Sequence, residues 1–177
     1  MDTNEMIANL AIFSGMEKKY LEEIGQHAEV LKFDTGRTIF KDREKADTMY
    51  GVLSGEVELI LVARDEILKT DVQFEEYART QTETVEREII VDTISPGEIF
   101  GWSALTPAGQ FTSKAVCAEP SQVFALHADK VRSFFQQHPD VGYVFMERLA
   151  EVISQRLAKR TDKLLDGWSE AFKVNRI

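Results

Sequence analysis

The chain has 177 residues, of which 44% are hydrophobic and 29% charged, which suffices for one globular domain with a substantial core and a helical appendage. Its formal net charge of -9 argues against broad binding to nucleic acid or to anionic membranes, because both partners are themselves negative. The single Cys117 excludes an intramolecular disulfide and predicts a reducing compartment. Its setting, "AVCAEP", favours a small buried hydrophobe over a reactive thiol.

The N-terminus shows no sign of a targeting segment. The first ten residues, "MDTNEMIANL", carry acids where a secretory signal would carry Lys or Arg. The longest apolar run, at 59–63, is too short to span a bilayer. These features predict a cytoplasmic protein that does not enter a membrane.

The first predicted element is helical. Residues 5–28 contain Leu21, Ile24 and Ala28 at helical intervals, and Ser14 and Glu17 have the spacing of a capping box. The sequence therefore predicts an N-terminal helical segment that precedes the first strand.

From Glu29 onward the hydrophobic period changes to two. Residues 29–40 are predicted to form a strand, a turn at 34–36 and a strand, and residues 48–62 a further hairpin with Ser54-Gly55 as its tight turn. More strands follow within 87–100 and 111–126. Short strands at roughly ten-residue spacing, separated by turn signals, indicate a β-barrel or jelly roll.

A charged segment at 62–88 is longer than most hairpin connections. Its apolar residues alternate on either side of "EEYAR", which predicts an extended hairpin with its tip near 75–79. A disordered insertion is the alternative.

The helical period returns after His127. Residues 128–138 are predicted to form a short helix, and Pro139 to begin a long one that ends near Leu165. Gly167 is predicted to act as a breaker near the start of a tail at 166–177. The long helix carries two apolar stripes. One is the seam Met146, Ala150, Ile153, Leu157 and Leu164; the other is Val141, Val144, Phe145, Leu149 and Val152.

Two apolar stripes on one helix predict two packing partners. One partner is the β-roll, and we expect the other to be the same helix of a second chain, giving a homodimer through Met146, Ala150, Ile153 and Leu157. The alternative is that both stripes are buried within a monomer.

Four segments resemble the cyclic-nucleotide-binding domain family of bacterial regulators and kinase regulatory subunits. They are "LAIFSGMEKKYLEEI", "FDTGRTIF", "MYGVLSGEVELI" and "ISPGEIFGWSAL". The resemblance covers about residues 10–165 and implies a mainly β fold with flanking helices. The implied fold is an eight-stranded double-stranded β-helix (jelly roll) with an N-terminal helical segment and a long C-terminal helix. The domains it implies are a roll over 1–138, including the 62–88 hairpin insertion, the helix at 139–165 and the tail.

The resemblance also assigns a ligand site. In the family, a short helix after Phe-Gly turns its free N–H groups toward the ligand phosphate, which here places Gly101, Trp102, Ser103 and Ala104 at the cassette. A Glu directly after that Gly holds the ribose, and an Arg on the following strand neutralises the phosphate. The segment aligned with the Arg contains Thr112, Ser113 and Lys114.

This sequence departs from the family at both specific positions. Trp102 stands where the family has Glu, and Thr112 where it has Arg, so neither the acceptor nor the cation is retained. Lys114 is an imperfect substitute for the cation or else a solvated surface lysine. Trp102 either folds into the pocket, which we expect, or lies outward as a stacking surface.

These observations predict a regulatory, signal-transducing module for a small ligand, a cyclic nucleotide or another small anion, with altered or lost cyclic-nucleotide specificity. A protein-interaction module with a non-functional pocket is the alternative. Segment "FGWSALTP" also resembles uncharacterised single-domain bacterial members of the family. The downstream protein partner is unknown.

An enzymatic function is not predicted. The jelly roll also hosts metal sites, but His27, His127 and His138 lack ligand spacing, so neither a metal nor a resident cofactor is expected. Twelve residues follow Leu165, whereas a winged helix-turn-helix needs roughly 60–80, so direct DNA binding is not expected. The basic stretch 156–163, "RLAKRTDK", is interpreted as a solvated helix face.

Overall fold

The computed structural model describes the backbone of residues 7–72 and 78–174 and the side chains of residues 7–63 and 86–169. Within these ranges the chain forms two antiparallel four-stranded sheets that face each other, flanked by helices. The strands are β1 (Ala28–Phe33), β2 (Thr38–Phe40), β3 (Thr48–Ser54), β4 (Val57–Val72), β5 (Ala78–Ile94), β6 (Ile99–Phe100), β7 (Lys114–Cys117) and β8 (Ser121–His127). The predicted eight-stranded jelly roll is confirmed.

Strand order is β1-β8-β3-β6 in one sheet and β2-β7-β4-β5 in the other. The prediction of a hairpin at 48–62 was therefore wrong in its pairing, since β3 pairs with β6 and β8 while β4 pairs with β5 and β7. The turn that joins β3 to β4 carries the chain from one sheet to the other. Gly55 in this turn has φ 82°, and a Cβ there would lie 2.5 Å from the carbonyl oxygen of Pro120.

Strands β4 and β5 pair with each other from Val57↔Ile94 to Val72↔Ala78. This pairing is that of an extended hairpin spanning the 62–88 insertion. Residues 73–77, where most of the predicted tip falls, lie outside the described residues.

The N-terminal segment is not one helix. A 3₁₀ turn at Ala11–Phe13 is followed by a short helix, α1 (Lys18–Gly25), and Gly15 between them has φ 70°, which breaks the helical path. The predicted capping box was wrong as well: Glu17 is itself the N-cap of α1, without a side-chain capping bond, and Ser14 ends the 3₁₀ turn.

The roll is closed by α2 (Ala128–Gln137) and by the long α3 (Pro139–Val174). The fully buried Phe13 connects the N-terminal segment to the roll and to α3. Its ring contacts Phe124 of β8 and Phe145 of α3 at centroid distances of 6.1 and 5.6 Å. A fully buried aromatic side chain of this size contributes about 1.5–3 kcal/mol to folding. Cys117 is 1% exposed, as its surroundings predicted.

Helix α3 begins at Pro139 as predicted but continues past Leu165 and through Gly167 to Val174. Gly167 does not break it, because one glycine costs only about 1 kcal/mol relative to alanine and the flanking residues favour a helix. The predicted separate tail is therefore helical up to Val174.

The two stripes of α3 have different surroundings. Val141, Phe145 and Leu149 are buried against the roll, whereas the seam is open to solvent, with Met146 50%, Ile153 39% and Leu157 65% exposed. The alternative in which both stripes are buried within one chain is therefore wrong.

Candidate functional site

A cleft of about 210 Å³ lies between the roll and α3. Its floor is apolar and is formed by Phe40, Leu59 and Phe111. The cassette and the segment before β7 form one wall, with Gly101, Trp102, Ser103, Thr112 and Ser113. Helix α3 forms the other wall, with the seam residues Ile153 and Leu157 and with two arginines, Arg156 and Arg160. The cleft therefore contacts both the roll and the long helix.

The cassette begins at Gly101, which follows β6. Gly101 has φ 73°, and a Cβ there would lie 3.1 Å from Tyr50 and 3.3 Å from Phe111, so the turn needs glycine both for its conformation and for its close packing. Residues Trp102–Leu105 form a single 3₁₀ turn of 4 residues.

Ala104 does not face the cleft. It is fully buried, its N–H donates to the carbonyl of Gly101 at 3.1 Å, and its own carbonyl accepts a hydrogen bond from Arg132 at 2.7 Å. The prediction that its amide faces an anion was wrong, because the turn itself uses that donor.

Lys114 also lies away from the cleft lining. Its Nζ is 2.9 Å from Oε1 of Glu88, an ion pair on the outside of the roll. Thr112 precedes β7, which starts at Lys114, so the two residues do not belong to the same strand. The ammonium group of Lys114 therefore does not replace the missing strand arginine.

Arg156 supplies a cation that the sequence interpretation missed. The residue is 7% exposed; its Nη2 donates to the carbonyl of Ile99 at 2.6 Å, and its Nε lies 3.4 Å from Oδ2 of the buried Asp92. Burial lowers the pKa of the guanidinium, and the carboxylates of Asp92 and Glu98 oppose that shift.

The guanidinium of Arg156 also covers one face of Trp102, with its Cζ 4.6 Å from the ring centroid. Trp102 is half-buried, packs against the core cluster and forms part of the cleft wall. Its ring packs inward, but it does not fill the cleft, which remains open beside it.

Two guanidinium nitrogens at the cleft are buried without a hydrogen-bond partner among the described residues. They are Nη1 of Arg156 and Nε of Arg160. Buried polar groups are nearly always hydrogen-bonded, so each of these N–H groups has unused donor capacity. Both residues line the cleft.

The sequence profile described as "Cyclic nucleotide-binding domain" matches residues 30–138, which is more than half of the chain. The chain belongs to the cyclic nucleotide-binding domain family. The proteins that define this family, and the regulators to which the chain is similar, are regulatory rather than enzymatic.

Three relatives of this cyclic nucleotide-binding domain illustrate the likeness. The "CRP-like cAMP-activated global transcriptional regulator" of Mycobacterium tuberculosis is 23% identical over 163 residues, 92% of this chain and 62% of the relative. A structure from Geobacter metallireducens, described as a cyclic nucleotide-binding protein, is 25% identical with a TM-score of 0.65, covering 89% of this chain and 99% of that one. The catabolite activator protein of Thermus thermophilus shares the fold at 22% identity, with a TM-score of 0.58 over 89% of this chain and 62% of its own.

The chain spans less than two thirds of the length of its first curated relatives. What those regulators bind and control therefore does not transfer directly to this cyclic nucleotide-binding domain.

The sequence carries a partial signal for the two arginines, although it does not show that they reach the cassette. Arg156 and Arg160 are four positions apart and flank Leu157 of the predicted seam, so they share a helix face beside an apolar stripe. The interpretation of 156–163 as wholly solvated was wrong for Arg156, which is buried.

Among the described residues, no group of three or more His, Cys, Asp or Glu side chains is placed to hold a metal ion. His127 instead lies 3.1 Å from Thr48 Oγ1, and His138 lies 3.1 Å from Glu23 Oε2. In the same ranges, no helix has the length and apolar character needed to cross a membrane.

Proposed function

We propose that this chain is a regulatory module that senses a small ligand in the cleft, with altered cyclic-nucleotide specificity, and signals through a dimer of α3. The observation that carries the proposal is that one cleft is lined by the cassette and by the long helix together. A ligand there contacts both elements, so its binding energy depends on their relative position.

Altered specificity is supported by the two departures from the family pattern. Trp102 offers no acceptor for a ribose hydroxyl, and Thr112 offers no charge for a phosphate. Both residues line the cleft, so the two departures change the chemistry of its walls.

Dimerisation is supported by the seam. Met146, Ala150, Ile153 and Leu157 lie at spacings of four, three and four, and all are exposed on the single chain. A second copy of the same helix presents a matching stripe and would remove it from water. An unidentified downstream protein would then respond to the state of the paired helices.

The proposal does not include direct DNA binding. The cytoplasmic location and the division of the chain into a roll and a long helix stay predictions, with the helix continuing through the predicted tail up to Val174. The alternative, an interaction module with a non-functional pocket, differs from the proposal in whether any small molecule stabilises the chain.

Ligand sensing is tested by thermal unfolding with cyclic AMP, cyclic GMP, inorganic phosphate, pyrophosphate and succinate. A compound present at a hundred times its Kd adds about 2.7 kcal/mol, which raises Tm by roughly 5–11 °C for a chain of this size. We expect a rise with at least one non-cyclic anion. No shift with any compound would favour the interaction module.

Dimerisation is tested by replacing Ile153 and Leu157 together with Glu. The double variant is expected to scatter light as a 20.1 kDa monomer with strand circular dichroism retained, because two charges would be buried in the seam. The matched control is Ser154→Glu with Ala158→Glu, which places the same charges at the same spacing on exposed positions beside the seam. If the unmodified chain is itself monomeric, dimerisation through α3 is refuted.

A further inference from the structure

The described lining of the cleft contains two cationic donors and no carboxylate. Arg156 is more than nine-tenths buried and has Nη1 unpartnered among the described residues, and Arg160 has Nε unpartnered in the same way. The hydroxyl groups of Ser103, Thr112 and Ser113 line the cleft, and none of its described lining residues is acidic.

The charges around these donors do not balance. Asp92 is the carboxylate that pairs with Arg156, and it is shared with Lys159, whose Nζ is 3.1 Å from Oδ1. Glu98 is a second carboxylate, whose attraction raises the pKa of Arg156, while Arg160 adds a third cation, whose repulsion lowers it, so three cations stand against two carboxylates. An anion in the cleft would relieve this repulsion and offer acceptors to the two guanidinium groups that line it.

We infer that the cleft binds a compact phosphate-bearing ligand whose phosphate is held by Arg156 and Arg160 of α3. The inference rests on the proposed ligand-sensing function and identifies the chemistry of that ligand. In this arrangement the neutralising cations come from the long helix, and the position before β7 contributes hydroxyl groups.

Two features favour phosphate over a carboxylate and a compact ligand over a whole nucleotide. Two guanidinium groups and three hydroxyl groups exceed what the two oxygens of a carboxylate readily accept, whereas a phosphate group presents three terminal oxygens. The volume of about 210 Å³ lies below the roughly 300–1,000 Å³ of clefts that enclose drug-sized ligands.

Binding of a phosphate in the cleft would link α3 to the roll. A phosphate held by these arginines joins the cassette turn to α3 through a charge-assisted contact. The occupied cleft therefore fixes the section of the helix that also carries Ile153 and Leu157.

The test is titration calorimetry of the full chain with inorganic phosphate, pyrophosphate, succinate and cyclic AMP. Arg160→Gln is the informative variant, because the structure gives Arg160 no hydrogen bond or ion pair among the described residues, so the fold should not depend on it. The matched control is Lys163→Gln, which makes the same charge change one turn further along the helix, away from the cleft lining. Arg160→Lys keeps the charge and removes the planar fork.

We expect pyrophosphate or phosphate to bind saturably, Arg160→Gln to weaken binding by about tenfold to a hundredfold, and Lys163→Gln to change it less than about twofold. Arg160→Lys should fall between them. Thermal unfolding of each variant confirms that the fold is intact.

Three outcomes overturn the inference, and they differ in what they say of the proposed function. Phosphate binding that is unchanged in Arg160→Gln refutes the arginine assignment and leaves ligand sensing standing. Binding of succinate or cyclic AMP with no binding of inorganic phosphate or pyrophosphate refutes the ligand class alone. No binding of any compound refutes both the inference and the proposed function.

Discussion

Replacing Asp92 by Asn is expected to lower the free energy of unfolding by about 3 kcal/mol, since removing one partner of a buried ion pair leaves the other charge uncompensated. Asp92 is 2% exposed and its partner Arg156 is 7% exposed. Asparagine keeps the shape and can still accept the hydrogen bond from the Thr93 N–H, so the change is one of charge. The expected fall in Tm is roughly 6–12 °C, measured by calorimetry.

Lys159→Gln is the control for Asp92→Asn, because it removes an exposed partner of the Asp92 carboxylate rather than the carboxylate itself. Lys159 is 55% exposed at its side chain, so its loss should cost no more than about 1 kcal/mol. If Asp92→Asn is as stable as the unmodified chain, the ion pair does not hold α3 to the roll. The packing of Phe145 and Leu149 would then be the main attachment.

Cyclic AMP is expected to bind about a hundredfold or more weakly than it would to a cassette with the family's Glu and Arg. Each lost charge-assisted hydrogen bond is worth about 1.5–3 kcal/mol, and Trp102 and Thr112 remove two. The arginines of α3 supply positive charge but no acceptor for the ribose. Calorimetry that gives a sub-micromolar Kd for cyclic AMP would contradict this prediction.

Thr112→Arg is the gain-of-binding counterpart. Thr112 is exposed and lines the cleft, so an arginine there fits and should tighten cyclic AMP binding by about tenfold. Thr161→Arg, at an exposed position of α3 outside the cleft lining, adds the same charge as a control. Equal gains in both variants would mean that net charge alone, rather than the cleft, controls binding.

The strands and helices were predictable because their signals are local. Alternation along β3, β4 and β8 and the glycine turns identified a jelly roll, and Pro139 identified the start of α3. Pairing was less predictable. The residues on either side of Gly55 alternate as in a hairpin, yet they enter different sheets, because closing the roll rather than the turn decides their partners.

The residues of the candidate site also differ in how well the sequence predicted them. Gly101, Trp102 and Ser103 form one contiguous motif, which made them visible in the sequence. Arg156 lies 57 positions from Ile99, whose carbonyl it binds, and no local pattern joins these two residues. Only the packing of α3 against the roll brings that side chain to the cassette, which is why a buried arginine was mistaken for a solvated one.

The buried thiol of Cys117 has a practical consequence. Burial raises the pKa of Cys117 above its ordinary value, and thiolate is the form that reacts with alkylating reagents. Because this is the chain's only cysteine, a second one introduced at an exposed helix position such as Asp166 would react alone. Spin labels or fluorophores could then be attached at one chosen point of α3 without removing a native residue, and the distance between two such labels would report how the helices of two copies lie.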